Sequence, residues 1–106
     1  MAKKRESKNE FRFNYDTGHM NYVFEEEGNK YHSVGITHDR KTFGKKNMPL
    51  DVNPQDGHNE KAYIRNGIIT NKKRSYFKSF DNSFKFSESD FPKIKSKIRN
   101  YKSRRK

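Results

Sequence analysis

Apolar and polar positions alternate over several short stretches of the chain, the period of a half-buried strand. Phe11, Phe13 and Tyr15 alternate with Arg12, Asn14 and Asp16, predicting a first strand with one aromatic face. Asp16, Thr17 and Gly18 read as a turn, and a second strand follows over residues 19–27. The third, from Lys30, is the most regular. His32, Val34, Ile36 and His38 point one way; Tyr31, Ser33, Gly35 and Thr37 point the other. Between them, Gly28 and Asn29 fit a two-residue hairpin loop with glycine first. Counting outward, Glu27 faces Lys30, Glu25 faces His32, Val23 faces Val34, Asn21 faces Ile36 and His19 faces His38. Met20, Tyr22, Phe24 and Tyr31 then share the face expected to meet the core.

Residues 39–60 hold two glycines and two prolines and read as a long irregular connection, pinned to the core by Met48 and Leu50. Residues 61–65 form a fourth strand. Asn66 and Gly67 are the strongest hairpin signal in the chain, so Tyr63 should face Thr70 and Arg65 should face Ile68. Residues 68–70 begin a fifth strand, and residues 72–80 either extend it after a break or form a helical turn. Ser87 opens a helix, with Asp90 three residues on as its capping-box partner. Phe91, Ile94, Ile98 and Tyr101 recur at helical spacing and should pack on the sheet. The pattern predicts an α+β fold: an antiparallel sheet of about four to five strands under one C-terminal amphipathic helix. Residues 1–10 are expected to be a disordered basic N-terminus, 11–102 a single domain and 103–106 a basic tail.

Composition thins this picture. Charged residues make up 36% of the chain and apolar types only 28%, so the core must be small. Nine Phe and six Tyr supply large burial per residue and argue for folding all the same. Without cysteine there is no disulfide, thiolate metal site or cysteine nucleophile. No apolar run approaches the roughly 20 residues of a membrane span. The first ten residues lack the apolar segment of a signal peptide. A cytoplasmic protein with no membrane partner is expected.

The net charge is +12, and its placement matters more than its size. Residues 93–106 carry eight basic groups and no acid, whereas residues 11–92 carry thirteen basic and eleven acidic groups. Such a tail attracts polyanions without reading sequence. The expected nucleic-acid contacts are Arg40, Lys46, Lys72, Lys73, Arg74, Lys95, Arg99, Lys102, Arg104 and Arg105.

Candidate chemistry is limited by spacing. No two His sit at a helical i, i+4 spacing; His19 and His38, if opposed, are the one weak candidate pair for a metal, so no metal or other cofactor is expected. Ser33 and Thr37 neighbour His residues in sequence but point to the opposite strand face. No glycine fingerprint for phosphate is present. What remains is metal-independent RNA cleavage, which needs a base, an acid and cations for the developing charge. His38 is the candidate base or acid, with His19 or His58 as its partner. Lys41, Lys45, Arg40 and Arg65 are placed to stabilise charge, and Tyr63 to donate a proton or stack on a base. His32 and His38 are about 20 Å apart along one strand and cannot serve one phosphate; His32 is expected to be held by Glu25.

The order of parts YHSVGITH, KTFGKKNMPL, AYIRN and a FSESD-headed basic helix, over residues 30–102, resembles small proteins of phages and conjugative mobile elements. Some of these are grouped with the barnase, EndoU, colicin and RelE-like nucleases. The resemblance implies a compact antiparallel sheet with packed helices and RNA cleavage without a metal. It would place the active site at His38, Lys41 or Lys45, and Tyr63 or Arg65. Three functions are therefore expected to compete. One is a small ribonuclease, such as a toxin with a protein antitoxin. The second is a non-catalytic DNA- or RNA-binding protein, with RNA favoured. The third is an inhibitor docking on a nucleoprotein complex.

Overall fold

Gly28 takes a left-handed φ of 62° while Asn29 does not, the pattern of a tight type II′ hairpin turn. It joins β2 (His19–Glu27) to β3 (Lys30–Thr37), the centre of the fold. The computed structural model describes residues 4–104, without the side chains of residues 66–68. β1 (Arg5–Asn14) lies outside β2, and β7 (Tyr63–Lys73) and the short β6 (Met48–Pro49) lie beyond β3. The order of this five-stranded antiparallel sheet is β1-β2-β3-β7-β6. A separate two-stranded hairpin, β4 (Lys41–Thr42) and β5 (Lys45–Lys46), projects from the connection after β3. A 3-10 turn (Arg74–Tyr76) and an extended segment lead to α1 (Phe91–Arg104). The fold is α+β, as the periodicity predicts. No helix among the described residues is long and apolar enough to cross a membrane.

The hairpin register holds for Glu27 opposite Lys30 and Glu25 opposite His32, then shifts. A bulge at Phe24 places Val23 opposite Ser33, Tyr22 opposite Val34 and Asn21 opposite Gly35. One inserted residue exchanges the faces beyond it. Tyr22 and Phe24 therefore share the main core with Val34 and Ile36, not with Tyr31. Tyr31 packs with Val23 and Phe77 on the other face. The shift also removes the expected opposition of His19 and His38.

The expected hairpin at Asn66 and Gly67 does not form: β7 runs continuously through it. Thr37 pairs with Tyr63, and Ser33 with Thr70, so Tyr63 and Thr70 do not face each other. Between the pairs Val34–Ile69 and Ile36–Ile64, β3 advances two residues and β7 five. The surplus residues are absorbed as a bulge opposite Gly35, and the strand goes on. The expected pairing of Arg65 with Ile68 falls on a side chain outside the described residues.

β1 begins at Arg5, so residues 5–10, expected to be disordered, are strand. Of residues 72–80, the first two end β7 and the rest form the 3-10 turn and an extended run along β1. Ser87 and Asp90 close the predicted capping motif. Ser87 Oγ accepts from the Asp90 backbone N–H at 3.1 Å and lies 3.0 Å from its carboxylate. The helix proper starts at Phe91, with Pro92 in its first turn, where the missing N–H costs little. Ile94 is fully buried, and Ile98 and Tyr101 pack beside it on the sheet with Leu50, Ile64 and Phe86. Full burial of each such aliphatic contributes about 1.5–3 kcal/mol. Phe91, expected in the same stripe, remains 36% exposed.

Candidate nucleic-acid interface

Four cations and one aromatic ring meet in the β4–β5 hairpin. Its turn is Phe43 and Gly44, with φ of 51° and 78°, so both central residues are left-handed, as a type I′ turn requires. Glycine takes this conformation freely, whereas a bulky aromatic is strained there by about 1 kcal/mol or more. Phe43 is nevertheless 88% exposed. Its ring neither packs on the core nor favours the turn. Lys41 pairs directly with Lys46, and Thr42 with Lys45. Like charges opposed across strands are destabilising, so folding alone gives no reason for this arrangement. Arg40, at the foot of the hairpin, is also exposed.

The base of the hairpin is firmly held. Asn47 is buried; its Nδ2 donates to the Asp39 carbonyl at 2.9 Å and to Thr42 Oγ1 at 2.7 Å. Its backbone N–H donates to the Arg40 carbonyl at 2.9 Å. The Asp39 N–H donates to Thr37 Oγ1 at 3.1 Å. A braced stem thus presents a set of cations around an outward ring. Aromatic rings exposed among cations stack on unpaired bases while the cations meet the flanking phosphates.

His38 is exposed at the end of β3, its Nδ1 3.2 Å from the Lys61 carbonyl. A carbonyl only accepts, so Nδ1 carries the proton in this contact. His58 lies 3.4 Å from Glu60. The Glu60 carboxyl is held below its usual range by its own backbone N–H and, more weakly, by His58 and His38. His58 and His38 thus both lie near Glu60. His19 pairs with Asn14 of β1. Tyr63 is half-buried beside Thr37, with the Lys61 ammonium 6.0 Å from its ring centre.

Arg65 lies on the face away from α1. Its aliphatic stem crosses Gly35 so closely that a Cβ there would be 3.1 Å from Arg65 Cδ. Its Nε is buried without a partner among the described residues. Beside it runs a polar chain: the Asn21 amide 2.8 Å from Ser33 Oγ, and Ser33 Oγ 2.9 Å from Thr70 Oγ1. With the amide oxygen turned toward Ser33, the amide nitrogen reaches the His19 and Met20 carbonyls at 3.2 Å each.

Other expected contacts are partly spoken for. Lys72 is 2.9 Å from Asp16, which holds its ammonium above the usual range, and Arg74 is 3.4 Å from Glu26. Lys73 is exposed between them. Lys102 is 3.6 Å from Glu25. Arg104 Nε donates to the Asn100 carbonyl at 3.2 Å. Lys95 and Arg99 are exposed along α1, and Arg105 lies outside the described residues. Lys97 is a cation the spacing did not single out; burial, then Arg104, pushes its pKa down. His32 is held by Glu27 rather than Glu25: Nε2 is 3.0 Å from the Glu27 carboxylate and Nδ1 2.8 Å from Tyr101 Oη. Phe43 is the main residue missed. Its signal was an aromatic directly before glycine inside a run of cations, KTFGKK. No group of three His, Asp or Glu among the described residues is placed to hold a metal ion. No protein-family model, curated protein or solved structure matches this chain.

Proposed function

We propose that this protein binds single-stranded nucleic acid through the β4–β5 hairpin, with Phe43 stacking on a base and Arg40, Lys41, Lys45 and Lys46 contacting the adjacent phosphates. The observation that carries the reading is Phe43 itself. A ring 88% exposed and held left-handed at the tip of a cationic hairpin opposes folding stability, and stacking on a base gives it a use. The test is fluorescence anisotropy with labelled twelve-nucleotide oligouridine and oligothymidine. Phe43→Ala should weaken binding about tenfold, since stacking on one base contributes about 1–3 kcal/mol. The salt dependence should stay as it was. Equal affinity of Phe43→Ala and wild type would remove the reading. Comparing the two oligomers separates RNA from DNA.

Metal-independent RNA cleavage is the second reading. It is favoured by the exposed His38, whose Nδ1 lies against the Lys61 carbonyl, close in sequence to these cations. Labelled RNA incubated in EDTA decides it. Cleavage that disappears in His38→Ala with folding intact would support a nuclease, and intact RNA over a broad panel would leave the binder.

A further inference from the structure

A groove of about 390 Å³ runs between the N-terminal half of β1 and α1, apart from the hairpin. The register places it at the far end of the sheet along the strands, because Arg5 pairs with Glu27, Glu27 with Lys30 and Lys30 with Lys73, while the hairpin leaves β3 after Thr37. Its floor is apolar: Tyr22 and Phe24 from β2, Phe91 and Ile98 from α1. Its rim is cationic: Lys8 on one bank, Lys95, Arg99 and Lys102 on the other. Among the described residues no carboxylate lines it. Lys8 and Lys102 each lean on one glutamate, at 3.5 Å and 3.6 Å. Among the described residues Lys95 and Arg99 make no ion pair, and Lys95 instead lies 5.5 Å over the Phe91 ring.

The backbone along the groove is also incomplete. β1 is an edge strand. The outer edge of its C-terminal half is covered: Asp81 N–H donates to the Phe11 carbonyl, Lys78 N–H to Phe13 and Tyr15 N–H to the Tyr76 carbonyl, at 2.8–2.9 Å. No described segment pairs with the outer edge at residues 5–9. Unpaired strand edges are templates for a further strand. From Phe91 to Lys102 the helix bank is about 16 Å long at 1.5 Å per residue, the reach of about five extended residues.

We infer that this groove binds an extended peptide segment of a partner protein, rich in acidic and apolar residues, which adds a strand to the free edge of β1. Alternate side chains of such a strand point to opposite sides. Apolar ones would enter the floor of Tyr22, Phe24, Phe91 and Ile98, and acidic ones would meet the cationic rim. The open row of backbone donors and acceptors favours a peptide over a nucleic-acid strand, which cannot continue a sheet.

A library of random eight-residue peptides displayed on phage and panned against the full chain tests this. Enriched peptides should alternate Asp or Glu with large apolar residues. A synthetic peptide of the enriched sequence should protect backbone amides of residues 5–9 from hydrogen exchange. Lys95→Glu combined with Arg99→Glu, both exposed, should weaken it about tenfold or more, with unchanged circular dichroism. Phe43→Ala should leave it unaltered, which separates this groove from the hairpin. Failure to enrich acidic peptides, absence of protection at residues 5–9, or displacement of the peptide by oligouridine with the groove amides shifted instead by the RNA would each overturn the inference.

Discussion

Asp90 ties the start of the helix to the connection after β6. It is fully buried, and its carboxylate accepts from the backbone N–H groups of Asp51 and Val52 at 2.8 Å and 3.1 Å, with the Lys93 ammonium at 3.2 Å. Burial opposes its ionisation, but these donors together with Ser87 outweigh it and hold the carboxyl below its usual range. A carboxyl with a lowered folded pKa adds stability that is complete above its unfolded value, about 4. That stability is lost as pH falls through the folded value. Asp90→Ala should therefore cost about 3 kcal/mol at neutral pH in urea unfolding. The cost should shrink as the titration is repeated below pH ~4. A pH-independent cost would show that the charge is not what matters. Arg65 and Gly35 offer a second local test. Gly35→Ala drives its new Cβ against the Arg65 stem and should cost about 1 kcal/mol. In an Arg65→Ala background it should be nearly neutral, and a double-mutant cycle measures the difference.

At the scale of elements, the hairpin turn and the interface make opposite demands. Asn–Gly is the preferred type I′ pair, so Phe43→Asn should raise stability by about 0.5–1 kcal/mol while weakening oligonucleotide binding. Gain in one assay and loss in the other would separate a functional ring from a structural one; loss in both would make Phe43 structural. This hairpin also shows why the elements were only partly legible in the sequence. The strand period located β2 and β3, helical spacing located α1, and the Ser87–Asp90 spacing located the helix start to within a few residues. Alternation cannot register an inserted residue, so the bulge at Phe24 exchanged the faces and removed the His19–His38 pairing. Asn66 and Gly67 had the local chemistry of a turn, but extending β7 along β3 from Lys30 to Thr37 keeps two runs of ladder bonds in one strand. The turn that does form, at Phe43 and Gly44, has a residue the turn statistics reject, a conflict of the kind that gathers at functional sites. Of the candidate site, Arg40, Lys41, Lys45 and Lys46 were legible as a cationic loop. That His38 and His58 both approach Glu60 depends on contacts between distant segments.

For the whole molecule, charge and shape divide the work. Most of the net charge belongs to residues 93–106, while the exposed aromatic on a cationic hairpin lies in the nearly balanced middle of the chain. Phosphate neutralisation by a tail adds affinity that falls with salt, with a slope of about 0.7 per phosphate on single strands; stacking adds a factor that salt barely touches. Deleting residues 103–106 should therefore lower oligouridine affinity at low salt. It should also flatten the slope of log affinity against log salt by about 0.7 for each phosphate the tail had neutralised. Phe43→Ala should shift that line downward without changing its slope. The two effects should add in the combined variant, because they act through different terms. Titrations at several salt concentrations on the four proteins measure all of this. A slope unchanged by the deletion would reduce the tail to a solubilising segment and leave the hairpin as the sole binding element. A slope flattened by Phe43→Ala would mean that the ring positions the cations instead of stacking on a base.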